Sequence, residues 1–408
     1  LTLGTKSITE NGTYTATTDG YDGYSEVEVN VSGGEGWVRP AELLPQPTYT
    51  SGENRFDILL AITPNGLNDF AMRVQTTGGT FSVDWGDGTV ETGIASSGSK
   101  NAQHIYTYSS ISSSTLREDG TKQVYVTITP DSVGESISNI SFSYQHDLNT
   151  KLVSYAVSPI IELNGNADNV LSINFGQSFE YPYLLNINIT GDASISTMND
   201  CLNTSSFNTS GFENIQSLNT TQTSIMRNAF RNNTCLKYPP DIDTGNATDM
   251  SYMFYYDYGL KFVPNYNMGN VENVTDMFRN CSAMTGSFNS DTSSVLNFTR
   301  MFASCYSIRE VILDASSGNI FGTGTNGVFS NNYNLEKLII LNMNENWNDL
   351  YLRYTNMTAD ALEELFNSLY DRTSTTAGTI DITGSLGASS LTQTQRDIAL
   401  NKNWNITG

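Results

Sequence analysis

Three stretches of this chain follow one pattern: TDMSYMFYYDYGL at residues 248–260, VENVTDMFRNCSAM at residues 271–284 and SSVLNFTRMFASCYSI at residues 293–308. Each has a phenylalanine followed six positions later by an apolar residue, and the phenylalanines recur every 24 residues with a last step of 27. The phenylalanines are Phe230, Phe254, Phe278, Phe302 and Phe329, and their partners are Leu236, Leu260, Met284, Ile308 and Leu335. So short a unit cannot bury its own apolar side, so copies must stack around one core. The spacing predicts a repeat solenoid with a stacked aromatic ladder inside.

These phrases resemble the repeats of BspA-like, leucine-rich-repeat-related surface proteins, and NVTDMFRNCS at residues 273–282 is characteristic of that family. The resemblance implies a solenoid over residues 151–345, with weaker units before the clear repeats. The Leu-x-Leu strand phrase of the family is degraded here, as at residues 261–264, so irregular strands are expected.

Residues 346–408 are predicted to form an α/β cap, because the end of a stack must present a polar face. Apolar residues at helical spacing predict a helix over residues 359–370 with Thr358 as its N-cap. A strand over 379–383, a second helix over 391–399 and a last strand over 404–406 are predicted after it. The ending NKNWNITG at residues 401–408 resembles that of BspA-like proteins, many of them phage-encoded.

The start of the chain predicts a small β module over residues 1–33 and a Gly/Pro linker over residues 34–48. Asn11-Gly12 is a hairpin cue, and residues 25–31 alternate between valine and polar residues as a strand does. Residues 8–31, ITENGTYTATTDGYDGYSEVEVNV, resemble short modules of tailed-phage structural proteins and fibres. That resemblance implies attachment to other virion proteins through residues 1–33.

Residues 49–150 are predicted to form a β-sandwich, with strands over 56–62, 70–74, 80–85 and 123–128 between Gly- and Ser-rich turns. VDWGDGT at residues 83–89, followed by HIY at residues 104–106, resembles the PKD domain and implies an Ig-like spacer. Trp85 is expected in its core, and His104 is interpreted as a structural residue that ties the turn to the next strand. The weaker alternative gives His104 or Ca²⁺ a site with Asp84 and Asp87.

Composition limits the function classes. The 408 residues are 38% hydrophobic and 15% charged, with a net charge of −22, so a mainly β, multidomain protein is expected that repels nucleic acid. No run of apolar residues predicts membrane insertion, and no signal peptide is visible. Catalytic motifs are absent and the chain has two histidines, so no enzyme and no cofactor are predicted. Paired carboxylates such as Asp241/Asp243 leave a depolymerase as the minor alternative.

The candidate ligand-binding residues are four tyrosines clustered in one repeat, Tyr252, Tyr255, Tyr256 and Tyr258, with Asp257 among them. Aromatic rings lie well against the apolar face of a sugar, so the cluster is a candidate glycan-stacking face. The favoured alternative is that the tyrosines only shield the flank of the solenoid.

Four cysteines are present: Cys201, Cys235, Cys281 and Cys305. Cys281 and Cys305 occupy the same repeat position, three residues after a phenylalanine. A disulfide between adjacent coils is conceivable, but two small buried thiols are the favoured interpretation.

The resemblances together imply a phage virion structural protein, a fibre or appendage at the virion surface, that displays the solenoid for adhesion to a host surface glycan or protein. A homo-oligomer is expected, because weak sites gain from multivalency. One alternative is a BspA-like adhesin on a bacterial cell surface, and another is a virion decoration with no host ligand.

Overall fold

The structure is a computed structural model that describes residues 39–50, 52–64, 68–97, 102–142, 159–166, 184–190, 214–234 and 236–408, with short segments at residues 2–3, 6–7, 12–16, 25–29, 156–157, 172–174, 179–180, 195 and 198. These residues form a mainly β protein with several small sheets. The chain divides into two compact units, Leu1–Leu43 and Leu44–Gly408. Within the described ranges, no helix has the length and apolar character needed to cross a bilayer.

The first unit contains two small antiparallel strand pairs. β1 (Thr2–Leu3) pairs with β2 (Lys6–Ser7), and β3 (Gly12–Ala16) pairs with β4 (Ser25–Val29). The alternating valine segment does form a strand, as its period of two predicts. Gly12, however, opens β3 rather than completing a hairpin turn with Asn11, and the paired strands are joined through residues 17–24. Most of the expected attachment module lies outside the described residues.

The second unit begins with antiparallel strands in two sheets around a shared buried core. The strands are β5 (Arg55–Ile62), β6 (Asp69–Thr76), β7 (Thr80–Asp84), β8 (Val90–Ala95), β9 (Ala102–Ile105), β10 (Lys122–Pro130) and β11 (Ile137–Ser141). The four strands predicted in this region are present with small shifts at their ends. β5 is buried along nearly its whole length, which explains its continuous apolar run, FDILLAI.

The sheet that contains β5 continues past residue 150. The next strands are β12 (Ala156–Val157), β13 (Ile160–Asn166), β14 (Ser172–Asn174), β15 (Phe179–Glu180), β16 (Asn186–Thr190) and β17 (Asn214–Ser217). β13 pairs antiparallel with β5 on one side and parallel with β16 on the other, giving the order β17-β16-β13-β5-β10-β7-β8. The sheet therefore crosses the boundary predicted at residues 150/151, and its pairing changes from antiparallel to parallel at β13.

Residues 225–341, the repeat stack, form coils joined by parallel pairing. Single parallel bridges connect Ile225, Asp249, Asn273, Asn297 and Ile320 in turn. Regular strands are short: β18 (Ser287–Phe288), β19 (Glu310–Asp314) and β20 (Lys337–Leu341) pair in parallel. Side chains add further links, since the hydroxyls of Thr220 and Thr244 donate to carbonyls of the next coil at 2.7 and 2.8 Å. Thr and Asn are abundant in this chain because they make such links.

Each coil passes its phenylalanine through an alternating backbone. Residues two before and two after the phenylalanine adopt positive φ, for example Tyr252 at 59° and Tyr256 at 65° around Phe254. The amides of these three residues donate to carbonyls of the following coil at 2.8 to 3.0 Å, while the amides between them bond within the coil. A left-handed non-glycine residue costs roughly 1–2 kcal/mol. The regular hydrogen bonding between coils offsets that cost and fixes the direction of every side chain in the coil.

The chain ends in a parallel sheet with two helices. The elements are β21 (Asp349–Tyr351), α1 (Ala359–Ser368), β22 (Gly378–Asp381), α2 (Gln393–Asn401) and β23 (Trp404–Thr407). The Thr358 hydroxyl accepts from the Ala361 amide at 3.2 Å, which confirms the predicted N-cap. Helix α2 begins two residues later than predicted, because Thr392 forms a capping box with Gln395.

Candidate functional site

The recurring phenylalanines form the interior of the repeat stack, as predicted. Their rings stack at centroid distances of 5.3, 5.8, 5.6 and 6.0 Å from Phe230 through Phe254, Phe278 and Phe302 to Phe329. All five are almost fully buried. The residues beside each phenylalanine are thereby held on a rigid core.

The four candidate tyrosines lie together at the surface of the Phe254 coil. Tyr252 contacts Tyr255 edge-on at 5.6 Å, Tyr255 contacts Tyr256 at 4.2 Å, and Tyr256 lies 5.7 Å from Tyr258. Tyr258 is 40% exposed and the other three are half-buried. The rings are thus fixed by one another and by the backbone, with their outer parts in solvent.

Asp257 does not share this surface. It is fully buried, three positions after Phe254, where the coil turns its side chain inward. The same position in other coils holds Asn233, Cys281, Cys305 and Asn332, which are also fully buried. The sequence groups Asp257 with the tyrosines, but the coil geometry separates them, so Asp257 is not a surface ligand-binding residue.

Arginines that the sequence analysis did not single out complete the surface. The guanidinium carbon of Arg231 lies 4.8 Å from the Tyr255 ring centroid and that of Arg279 lies 5.5 Å from it. Arg231, Tyr255 and Arg279 are 24 residues apart, so they occupy one position in successive coils, which was the available sequence signal. Arg227 and Arg231 also approach the Tyr252 ring, at 5.6 and 5.8 Å. We call Arg227, Arg231, Tyr252, Tyr255, Tyr256, Tyr258 and Arg279 the Tyr–Arg face.

Asp276 fixes one side of this face. Its buried carboxylate accepts two hydrogen bonds from Arg300, at 2.8 and 2.6 Å, and an ion pair from Arg279 at 3.3 Å. The hydrogen bonds to Asp276, opposed by burial, raise the pKa of Arg300. Arg279 and Arg300 are thus committed to Asp276, and their charges are partly neutralised.

Tyr255 stays neutral over a wide pH range. Burial, and then a hydrogen bond with Tyr256, raise the pKa of Tyr255 to about 12, although the nearby Arg279 opposes the shift. Burial also raises the pKa of Tyr258, with a contribution from the neighbouring Tyr256 and Tyr306. At neutral pH the face therefore presents uncharged rings beside cationic arginines.

A second group of tyrosines continues along the stack at the position of Tyr258. Tyr306 and Tyr333 are 42% and 44% exposed, and their rings are stacked at 5.4 Å with an interplanar angle of 5°. Ser282 occupies the same position in the coil between Tyr258 and Tyr306. Exposed rings thus recur along one line of the stack.

The Asp84, Asp87 and His104 group forms a tight turn in the sandwich. Asp87 accepts from the Thr89 amide at 3.0 Å and contacts Nε2 of His104 at 2.8 Å, while Asp84 accepts from the Gly86 amide at 2.9 Å. The His104 ring stacks on buried Trp85 at 5.1 Å. Gly86 has φ of 75°, and a Cβ there would meet the Tyr125 carbonyl oxygen at 2.2 Å. In the described parts of the chain, no three His, Cys, Asp or Glu residues converge as metal ligands.

Cys281 and Cys305 are free, buried thiols. Each Sγ donates to the carbonyl oxygen of a phenylalanine in the preceding coil, at 3.0 Å to Phe254 and 2.9 Å to Phe278. Burial raises the pKa of the Cys281 thiol well above its usual value. The favoured sequence interpretation is therefore confirmed for this pair. Cys201 and Cys235 lie outside the described residues.

The candidate carboxylate pair is part of a turn. Asp241 and Asp243 are exposed, and Asp243 accepts from the Gly245 amide at 2.8 Å. Its carboxylate is thus engaged in local backbone structure.

Residues 193–315 match a family described as a Mycoplasma protein of unknown function, DUF285. The matched segment contains the whole Tyr–Arg face. No curated protein and no solved structure matches the chain.

Proposed function

We propose that this chain is a non-enzymatic phage virion protein, a fibre or appendage, that displays its repeat stack for adhesion to a bacterial surface glycan or protein. The observation that carries the binding role is the Tyr–Arg face, where rings and guanidinium groups are exposed on a hydrogen-bonded scaffold. Such side chains lose little conformational freedom on binding because they are already ordered, so more of the contact energy becomes affinity.

The finer architecture of the proposal is an Ig-like, PKD-type spacer followed by a leucine-rich-repeat-related solenoid with its cap. The turn that links Trp85, Asp87 and His104 supports the first part, since it matches the phrase that resembles PKD domains. The 24-residue parallel bridges and the stacked phenylalanines support the second part.

Attachment is assigned to residues 1–33, with other virion proteins as partners. The division of the chain into units at residues 43/44 supports a separately folded attachment segment. Binding at one Tyr–Arg face is expected to be weak and to gain from several copies on an oligomeric virion.

A bacterial cell-surface adhesin is the second candidate. The matching family is described as a Mycoplasma protein, and this favours a bacterial setting for residues 193–315. The phage assignment depends instead on the resemblances at the two ends of the chain.

Mass spectrometry of purified phage particles and of host envelope fractions tests the proposal. Stoichiometric peptides of this chain in particles are expected, and a chain without residues 1–33 is expected to be missing from them. Detection only in the envelope fraction would overturn the phage assignment in favour of the adhesin. Particles that retain the truncated chain would refute the attachment role of residues 1–33.

A further inference from the structure

We infer that the Tyr–Arg face binds an acidic polysaccharide, through a carboxylate of a uronic acid residue held by Arg227 and Arg231. This inference rests on the proposed adhesive function and names the class of ligand.

Local charge is the first reason. The chain carries a net charge of −22, yet this face gathers arginines. Arg279 is committed to Asp276, whereas Arg227 and Arg231 form no ion pair with a carboxylate among the described residues. A cationic spot on an acidic protein favours anionic ligands locally, while the rest of the surface repels them.

The geometry of Arg231 is the second reason. Its guanidinium lies against the rings of Tyr252 and Tyr255, at 5.8 and 4.8 Å, and its only described hydrogen bond is a long one, 3.4 Å, to the Asn228 side chain. Stacking uses the face of the guanidinium and leaves N–H donors at its edge. The buried Nε of Arg231 has no hydrogen-bond partner among the described residues. An ordered guanidinium with unused donors suits two-pronged recognition of a carboxylate.

Arg227 supplies a second charge from the same side. It is exposed, and its guanidinium carbon lies 5.6 Å from the Tyr252 ring centroid. Because Arg227 and Arg231 share Tyr252 as a platform, their guanidinium groups converge around one ring. A single carboxylate, or two along a polymer, can therefore contact both.

The neighbouring rings decide between anions. Tyr256 and the 40% exposed Tyr258 continue the surface away from the arginines. A pyranose has an apolar face that packs on such rings, whereas a glycerol phosphate chain has none. A sugar that also carries a carboxylate uses both parts of the Tyr–Arg face, which favours a uronate polymer over a phosphate polymer.

Binding of the purified full-length chain to immobilised polysaccharides tests this inference. The probes are polygalacturonate and alginate as acidic polymers, dextran and galactan as neutral ones, and poly(glycerol phosphate) as the phosphate polymer. Binding to at least one uronate polymer is expected, together with weakening as salt increases, because the contact is ionic.

The decisive variant is the double substitution Arg227→Gln/Arg231→Gln, with Arg309→Gln as its matched control. Arg309 is an exposed arginine of the same stack whose ion pair with Glu336 lies at 3.7 Å. The double variant is expected to bind the uronate polymer at least about tenfold more weakly, from the loss of charge-assisted hydrogen bonds. The control is expected to bind within about twofold of the unsubstituted chain, as exposed ion pairs contribute little. Unchanged thermal unfolding of each variant shows that the fold is retained.

The other outcomes separate this inference from the proposed function. Equal binding to neutral and acidic polymers, lost on Tyr258→Ala but not in the double arginine variant, would preserve glycan adhesion and overturn the carboxylate site. Binding only to poly(glycerol phosphate) would also overturn it and assign a phosphate ligand. No binding to any of the polymers would overturn the inference and leave adhesion to a protein as the remaining form of the proposed function.

Discussion

Individual residues in the repeat stack have roles set by their offset from the phenylalanine. The offset of two places a left-handed residue at the surface, and the offset of three places a side chain in the core. Tyr256 and Asp257 are adjacent in sequence, yet one lies on the Tyr–Arg face and the other is buried. A single-residue change of offset therefore exchanges a binding role for a packing role.

Phe278→Ala is expected to destabilise the second unit by about 3–5 kcal/mol, because it removes a fully buried ring from the middle of the ladder. The rings of Phe254 and Phe302 would lose their stacking partner on one side. Urea unfolding followed by circular dichroism measures the change. Tyr258→Ala, at an exposed position of the neighbouring coil, is the control and should cost far less. A similar loss in both variants would show that the ladder is not the main source of stability.

Asp87→Asn is expected to destabilise the chain by about 1–3 kcal/mol at neutral pH, since it weakens a charge-assisted contact with His104. Burial acts to raise the pKa of Asp87, but the hydrogen bonds from His104 and Thr89 outweigh it and hold the pKa below its usual value of 3.8. The carboxylate's contribution is thus present above that value and is lost as the pH falls through the lower pKa of the folded state.

The measurement is the difference in unfolding free energy between Asp87→Asn and the unsubstituted chain from pH 7 to pH 2. The difference should shrink below about pH 4. Glu336→Gln, at an exposed ion pair of the stack, should show almost no difference at any pH. A difference for Asp87→Asn that stays constant down to pH 2 would contradict the linkage.

Helices and strands of the second unit owe their ends to local chemistry, and the sequence reveals them to that extent. Apolar spacing predicts α1 and the antiparallel strands, and Thr358 predicts the start of α1. The start of α2 differs by two residues because two threonines, Thr392 and Thr394, lie near it and only the first completes a capping box. The left-handed residues of the coils are not predictable in this way, since Tyr252 and Arg300 are types that rarely adopt that conformation.

Thr392→Ala is expected to destabilise α2 by about 0.5–2 kcal/mol, because the hydroxyl that accepts from the Gln395 amide at 3.3 Å is removed. Amide hydrogen exchange in residues 393–401 should quicken while exchange in the repeat stack stays unchanged. Thr394→Ala, inside the first turn of the same helix and exposed, is the matched control and should be neutral or slightly stabilising. Faster exchange from Thr394→Ala as well would indicate that helix propensity rather than the cap governs this end.

Across the whole molecule, the feature that sequence could not supply is the shared sheet. Periodicity predicts a sandwich and a stack, because each has its own pattern, but a pattern does not say which strand pairs with which. The antiparallel pairing of β13 with β5 joins segments about a hundred residues apart, and nothing in either strand marks the other as its partner. The Tyr–Arg face was found only in part for a similar reason: its arginines come from coils on either side of the tyrosines.

The shared sheet predicts that the sandwich segment depends on strand β13 for its stability. In a fragment of residues 44–150, β5 would lose its β13 partner, exposing the backbone of a strand whose residues are buried from Phe56 to Ile62. An uncovered apolar edge is prone to pair with other chains. The fragment is therefore expected to aggregate on size-exclusion chromatography, whereas residues 44–408 should elute as a defined species with cooperative unfolding. Charged substitutions cannot substitute for β13, because the missing contacts are backbone hydrogen bonds and buried apolar surface. A monodisperse 44–150 fragment that unfolds cooperatively would show instead that the sandwich is autonomous and that β13 merely extends it.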